Sequence, residues 1–442
     1  MATVLVVGSG GREMAQATAL AASNRVARVL VAPGNGGTAA GLAKVSNVDI
    51  KDTAIEDLVD CAKKNAVDLV AVGPEAPLVI GLSDAMGEAG VKCFGPTKIA
   101  AQLENSKAWM KDFFQRHGLP TARYKTFTDF AEAKAHVEAI SYEVVVKCSG
   151  LAAGKGVLIP SGKEEAIEAL KKVMVEKVFG SAGDEVVVEE KLIGPECSVL
   201  AFCDGTSAVC MPAAQDHKRA LDNDMGPNTG GMGAYARCPC LTAELEVQTS
   251  QIIQDTVSAL KADGIKYVGV LFAGFMLTSD GPRLLEYNCR MGDPETQVVL
   301  PLLVSDLYEV MLSCCDGQLA AQKIAWSEEA TATVVMAARG YPDKYAKGAT
   351  ISGLAEAGAV EGVTVFHAGT RLEGSAYVTN GGRVLAVTGR GETLSAAVAV
   401  AYEGVSKIAF EEEGGAHFRK DIASKASVVA DCGKIVKKRA LG

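Results

Sequence analysis

The chain has 442 residues, 48% of them hydrophobic and 22% charged, an ordinary globular balance with length for roughly two to four domains of about 150 residues. Lys and Arg number 44 against 53 Asp and Glu; a net charge of −9 without a basic stripe argues against nucleic acid or an anionic membrane as partner. Glycine, at 47 residues, exceeds its usual share of ~7% but has no G-x-y period, which excludes collagen and points to tight turns and ligand loops.

The first hundred residues alternate strand and helix signals. Val4–Val7 predicts a strand ending in Gly8-Ser9-Gly10-Gly11, followed by an Ala/Leu-rich helix and a strand over Val29–Ala32. Leu58–Lys64 and Met86–Ala89 read as helices, and Leu69–Val72 and Val91–Phe94 as strands. This alternation argues for an open parallel α/β sheet. The glycine turn invites a dinucleotide reading, but the third glycine of G-x-G-x-x-G is replaced by Glu13. Val31 also runs into Ala32-Pro33-Gly34-Asn35 without the acid a ribose diol needs. Backbone N–H groups at such a helix start still suit a phosphate; a plain tight turn is the alternative. Glu75, in Val72-Gly73-Pro74-Glu75-Ala76-Pro77-Leu78, follows a strand at the edge where such sheets bind ligands. It can accept sugar hydroxyls, although a proline-stiffened turn with an exposed carboxylate is the simpler reading of the spacing.

A boundary falls near Gly95-Pro96, and Asn105–Phe114 predicts a capped helix stopping at Gly118. Tyr142–Lys147 and Val157–Pro160 predict strands around a glycine hairpin that carries Lys147, Gly150, Gly154, Lys155 and Gly156. This is not a Walker A loop, since Gly156 stands where Ser or Thr is required and a strand follows. Such a hairpin can fold over a triphosphate, its N–H groups and lysines meeting the oxygens; a flexible surface hairpin is the alternative. Ser161 and Glu164 predict a capping box for a helix with Ile167, Leu170 and Met174 inward. Strands are expected over Val186–Glu189, Ser198–Phe202 and Ala208–Met211. The exit of the first can read an adenine edge by its backbone, with Glu196 reaching a ribose diol; solvated acids on an edge strand are the alternative.

Residues Ala213 to Tyr235 show no periodicity and read as a long functional loop containing Asp216, Lys218 and Arg219. A long helix over Thr242–Lys261 and strands over Gly269–Leu277 and Arg283–Tyr287 follow. Glu286 and Asn288 are two apart on a strand, so both leave one face. Carboxylate and amide oxygens are hard ligands suited to Mg²⁺, and Arg290 continues that face as a bidentate anion binder. Leu302–Leu312 reads as a helix, Thr333–Met336 and Val384–Thr388 as strands, and Leu394–Ile408 as a helix.

The twelve cysteines are scattered, with Cys314-Cys315 adjacent, Cys238 and Cys240 flanking Pro239, and no C-x-x-C. With five separated histidines they offer no zinc spacing and imply a reducing, cytoplasmic setting. Met1-Ala2-Thr3 leads directly into the first strand, so no secretory leader is expected. The longest apolar stretch, Val268–Leu277, is far short of the ~20 residues of a membrane span.

A glycine hairpin, an adenine-reading strand exit and an E-x-N strand together resemble the ATP-grasp ligases. The motifs GSGGRE, APGN, VGPEAPL, QDHKR, GPNTGGMGAY, EYNCRMGDPE and FRKDI closely resemble the glycinamide ribonucleotide synthetase family, from Val4 to about Ile422. The resemblance implies an α/β fold: a Rossmann-like N-terminal domain (1–101), an ATP-grasp body (102–328) with a mobile lid at about 124–190, and a small C-terminal α/β domain (329–442). It implies ligation of glycine to 5-phosphoribosylamine through glycyl phosphate, with ATP and Mg²⁺ (or Mn²⁺). Glu286 and Asn288 are then the metal ligands, and Lys107, Lys147, Gly154, Lys155 and Gly156 hold the triphosphate. Glu189 and Leu192 read adenine by backbone and Glu196 the ribose. Gly10, Gly11, Glu13, Asn35 and Glu75 take phosphoribosylamine; Asp216, Lys218 and Arg290 surround glycine and the acyl phosphate. The implied chain is a monomer or weak dimer, stand-alone, or an excised piece fused to or associated with other purine enzymes. One position departs from the family: Met14 follows GGRE where histidine is usual. Another ATP-grasp ligase, with a different acid or amine, and a non-catalytic or NAD-binding Rossmann protein are the competing readings.

Overall fold

Val4, Leu5, Val6 and Val7 are all fully buried. Successive side chains leave opposite faces of a strand, so Val4 and Val6 join one apolar cluster and Leu5 and Val7 another. A strand buried on both faces suits a parallel sheet covered by helices. The computed structural model, which describes residues 1–152 and 156–426, has that sheet. Its five strands run in the order Val45–Asn47, Val26–Pro33, Ala2–Gly8, Leu69–Val72 and Lys92–Phe94, all parallel. The winding reverses between Ala2–Gly8 and Leu69–Val72, and ligands of open α/β sheets bind at the carboxyl ends beside such a reversal.

A nine-stranded antiparallel sheet forms the body. Its order is Gly281–Asn288, Val268–Thr278, Glu196–Asp204, Ala214–Asp216, Gly233–Ala236, Ala330–Ala337, Arg383–Gly391 and Val363–His367, with Ala208–Cys210 beside Glu196–Asp204. Helix Ala243–Ala262, capped by the Thr242 side chain, lies over the strands Ala208–Cys210, Gly281–Asn288 and Glu196–Asp204 and adds Ile253, Val257 and Leu260 to the apolar cluster that holds Leu271, Ala273 and Phe275. Gly233–Ala236 pairs directly with Ala330–Ala337, so one sheet runs past residue 328 without a break.

The stretch from Tyr124 to Glu190 folds on itself. Strands Tyr124–Phe127, Val186–Glu190, Val144–Cys148 and Val157–Leu158 form an antiparallel sheet, covered by helices Phe130–Ala139 and Lys163–Met174. Its apolar cluster, including Phe127, Val146, Leu170 and Val188, lies wholly within this stretch.

Three local expectations are corrected. Helix Lys163–Met174 is capped at Gly162, not Ser161, and Glu165, not Glu164, accepts from the Ser161 N–H at 2.9 Å; the carboxylate sits one residue later than the expected box. The region 213–235 is not one loop but holds strands Ala214–Asp216, Arg219–Leu221, Met225–Asn228 and Gly233–Ala236, too short for a periodic signal. The helix expected from Leu302 begins at Leu307, because the Asp306 side chain caps it at the Tyr308 N–H and Leu300–Leu302 is a separate 3₁₀ turn.

The segment 417–426 straps this short-stranded region. His417 Nε2 meets Ala220 O at 2.7 Å, and the Lys420 and Asn223 N–H groups donate to Asp222 and Asp421. Arg419, only 1% exposed, donates to both Asp421 oxygens at 2.7 Å, to Asp224 at 2.9 Å and to Arg219 O at 3.2 Å. Losing that guanidinium leaves Asp421 without its cation partner and Asp224 with Lys425 alone, 2.8 Å away. We expect Arg419→Ala to lose about 3–5 kcal/mol in urea unfolding at pH 7. Burial works against ionisation of Asp421 but its bonds to Arg419 outweigh it and lower the carboxyl to about 2. This stabilisation is complete above the unfolded carboxyl value of ~3.9 and is lost as pH falls toward 2. The difference between wild type and variant should therefore shrink across that window.

Candidate active site

The crevice at the sheet's switch point is built by Glu13. Its Oε2 accepts from the Gly10 N–H at 2.5 Å and its Oε1 from Arg12 Nε at 2.5 Å, closing the first turn of helix Gly11–Ala22. A Cβ at Gly73 would overlap this carboxylate, which is why two glycine turns converge here. Glu13 is thus bonded within its own loop, beside the crevice. Asn35 is bonded to the same loops: its oxygen caps Gly37 and Thr38, and its Nδ2 donates to Ser9 O and His367 O, each at 2.9 Å. Met14 is 4% exposed; its sulfur takes the His367 N–H at 2.9 Å. The thioether packs between helix and C-terminal sheet and does not face the crevice. Gly10 and Gly11 stay at the helix start.

Glu75 stands in the first turn of helix Glu75–Ile80, on the other side of the same crevice. Arg290 Nε lies 3.6 Å from Glu75, and its Nη2 donates to Glu104 at 2.9 Å and to Asn288 Oδ1 at 3.1 Å. Burial raises the Glu75 carboxyl, but the charges of Arg290 and Arg12 outweigh it and hold the group below its usual range. Burial dominates at Glu104, which is raised. Glu104 also takes the Cys289 N–H at 2.6 Å, and so pins the chain just beyond Asn288.

Glu286 and Asn288 leave one face of Gly281–Asn288, opposite Gly274 and Phe272. Burial raises the Glu286 carboxyl, yet Lys107, Lys147, Lys218 and Arg290 outweigh it and keep it ionised. An anionic oxygen and an amide oxygen on one face fit a hard divalent cation. The register slips between Gly274 and Phe275, which makes Leu285 the extra residue of a bulge, and its carbonyl accepts from Lys147 Nζ at 3.2 Å.

Lys147 is tied to Glu189, whose carboxylate is 2% exposed and 3.0 Å from both Lys147 and Lys111. Glu189 lies inside a strand paired on both sides, with Tyr124 and with Val145. Its backbone belongs to the sheet, one residue before the strand's end at Glu190, and Leu192 lies beyond the strand. Gly156 is described and sits opposite Cys148, whereas Gly154 and Lys155 lie outside the described residues. Burial lowers the Lys111 ammonium to about 8 although Glu189 opposes it. Lys111 escaped the sequence reading; its signal is a lysine one turn after Lys107, set among Met110, Phe113 and Phe114.

Lys218 Nζ lies 2.6 Å from Glu196 and 3.9 Å from Asp216, so three expected site residues meet. Burial raises the Asp216 carboxyl; Asp216 in turn raises the Lys218 ammonium. Glu295 joins them from Asp293-Pro294-Glu295: burial first, then the Asp216 charge, raise its carboxyl to about 7. Between Asp216 and Lys218, the buried His217 is lowered to about 3 by burial, and its Nε2 accepts from the Ala423 N–H at 3.2 Å.

Two stability measurements test these buried charges. Glu189→Gln leaves two buried lysines without their shared anion and should lose about 3–5 kcal/mol in chemical denaturation. Glu295, raised when folded, contributes stability fully below the unfolded carboxyl value near 4.3, lost as pH rises through 7. Glu295→Gln should accordingly be about 1–3 kcal/mol more stable than wild type at pH 8 and close to it at pH 4.

Three models of phosphoribosylglycinamide synthetase match the chain: the N domain over residues 2–104, the ATP-grasp (A) domain over 105–296 and the C domain over 331–425. A phosphoribosylamine–glycine ligase of Chlorobaculum tepidum is 47% identical over 425 residues, 96% of this chain and 99% of that one. The human trifunctional purine biosynthetic protein adenosine-3 is 50% identical over 428 residues, 96% of this chain and 42% of that protein. The chain spans about half the length of the multifunctional relatives it matches, 42% of the human protein and 55% of a bifunctional one from Dictyostelium discoideum. The crystal structure of phosphoribosylamine–glycine ligase from Thermotoga maritima matches with a TM-score of 0.83 at 33% identity, covering 95% of this chain and 99% of that one. A biotin carboxylase from Campylobacter jejuni, at 14% identity and a TM-score of 0.71, covers 94% of this chain and 92% of that one and shares the fold alone. Among the described residues no helix is long and apolar enough to cross a membrane.

Proposed function

The chain belongs to the phosphoribosylglycinamide synthetase family, and we propose that it joins glycine to 5-phosphoribosylamine at the expense of ATP, giving glycinamide ribonucleotide, ADP and phosphate. The observation that carries this is Glu286 set among Lys107, Lys147, Lys218 and Arg290, with Arg290 reaching on to Glu75 at the parallel-sheet crevice. That arrangement puts a cluster of cations and the parallel-sheet crevice on two sides of one guanidinium.

The glycine carboxylate attacks the γ-phosphorus of ATP, ADP leaves, and glycyl phosphate forms. The amine of phosphoribosylamine then attacks the acyl carbon, phosphate leaves, and the amine's proton passes to solvent or a nearby carboxylate. Lys107, Lys147 and the hairpin around Gly154, Lys155 and Gly156 hold the triphosphate; Leu192 meets adenine and Glu196 the ribose. Glu286 and Asn288 hold Mg²⁺ or Mn²⁺, which when bound neutralises charge developing between phosphates. Asp216, Lys218 and Arg290 orient glycine and its phosphate. Gly10 and Gly11 offer the start of helix Gly11–Ala22 to the sugar phosphate, and Glu75 the hydroxyls. Residues 1–101, 102–328 and 329–442 act as N-terminal, ATP-grasp and C-terminal parts. The unit at about 124–190, with its own core, is the lid that excludes water from glycyl phosphate. The protein works in the cytoplasm, as a monomer or weak dimer, alone or joined to other purine enzymes.

Phosphate release from Mg²⁺·ATP is the test. It should require both glycine and phosphoribosylamine, and fall by at least roughly 10³-fold in Glu286→Ala, on the scale of removing a main transition-state charge partner. Turnover with another acid or amine would keep the ATP-grasp chemistry and discard these substrates. Release that is independent of Glu286 would discard the metal strand.

A further inference from the structure

On the face of strand Glu196–Asp204 that lies opposite Glu196, three thiols meet inside the protein. Cys197 is the second residue of the Glu196–Asp204 strand, and Cys238 and Cys240 flank Pro239 in the turn before helix Ala243–Ala262. All three are buried, and their sulfurs lie within 4.8 Å of one another. Cys238 and Cys240 Sγ are 2.8 Å apart, and the Cys238 N–H donates to Ala213 O at 3.1 Å, which docks the turn on the neighbouring chain. Among the described residues no other three His, Cys, Asp or Glu side chains gather this way.

A single buried thiol packs as a small apolar group. Three buried thiols whose sulfurs converge are instead a ready set of soft ligands, and the 2.8 Å contact between Cys238 and Cys240, in which either sulfur can donate, already brings two of them together. We propose that Cys197, Cys238 and Cys240 bind one thiophilic divalent cation of the zinc class through three thiolates. Binding forms three sulfur–metal bonds and releases the thiol protons of Cys197, Cys238 and Cys240 to solvent. The Tyr235 hydroxyl, within bonding reach of Gln215, and Glu196 O, 3.9 Å from Cys240 Sγ, are the neighbouring oxygens for a fourth position. Soft thiolates favour zinc over magnesium, and the oxygen pair Glu286 and Asn288 has the opposite preference, so the two sites sort cations by softness.

The fully reduced, chelator-stripped full chain loaded with one equivalent of Zn²⁺ should show three sulfur neighbours at about 2.3 Å by X-ray absorption. Because the chain has twelve cysteines, variants make the assignment. Cys240→Ser should weaken the first equivalent, measured against a chromophoric chelator, by about 100-fold or more, since even outer partners of metal ligands are worth roughly 10–100-fold. Cys314→Ser should not change it. If the serine variant does not fold, Cys240→Ala, which buries no hydroxyl, replaces it. A shell dominated by nitrogen and oxygen, or a first equivalent undiminished in the Cys240 variants, overturns the proposal.

Discussion

A guanidinium that is only 17% exposed needs acceptors around it, and Arg290 finds them on three segments: the carboxylates of Glu75, in the helix Glu75–Ile80, and of Glu104, just after the N-terminal sheet, and the amide oxygen of Asn288 at the end of the strand that precedes it. Each contact fixes a different part of the molecule to the same point. Glu104 also holds the Cys289 N–H, so the strand bearing Glu286 and Asn288 cannot shift without breaking a buried charge pair. The distance between the two crevices is thereby set by one side chain. A lysine here would keep the charge and lose the fork that reaches several partners at once.

The same accounting of buried charge explains the base of the four-stranded unit. Two ammonium groups and one carboxylate meet at Glu189, where a lone lysine would be costly to bury. Lys111 comes from the body and Lys147 and Glu189 from the four-stranded unit, so the triad spans the joint between them. The bulge at Leu285 adds a carbonyl for Lys147. An arriving triphosphate would supply further negative charge to Lys147 and to Lys107.

The parallel sheet, the long helix at Thr242 and the E-x-N strand were legible because each repeats a period or places a rare residue pair over several residues. The strands between Ala214 and Ala236 were not, since three or four residues hold no period and their pairing is set by distant partners such as Ala330–Ala337. Glu13 and Asn35 illustrate a second limit. A polar residue in a glycine turn can face a ligand or bind its own backbone, and both use the same residue types. Spacing cannot separate the two, whereas the structure shows Glu13 and Asn35 bonded to the N–H groups of Gly10, Gly37 and Thr38. The three clustered cysteines mark a third limit: residues 197, 238 and 240 have no metal-binding spacing and meet only because a turn folds onto the start of a strand.

Those pieces are held by the end of the chain. His217 lies between Asp216 and Lys218, too buried to ionise, and its ring takes the Ala423 N–H. Its neighbours in sequence are the charged pair that meets Glu196, so the rotation of that short strand is fixed from the far side by the 417–426 segment. Arg419 and Asp421 anchor the segment, and Asp224 ties it back to the loop. The continuous sheet has the same consequence: Gly233–Ala236 is braced by Ala330–Ala337 on one side and presents Ala214–Asp216 on the other. The C-terminal part is therefore a wall of the site. A lesion in the strap acts on the placement of Asp216 and Lys218 without touching either, because a strand of three residues has too few hydrogen bonds of its own to hold its register.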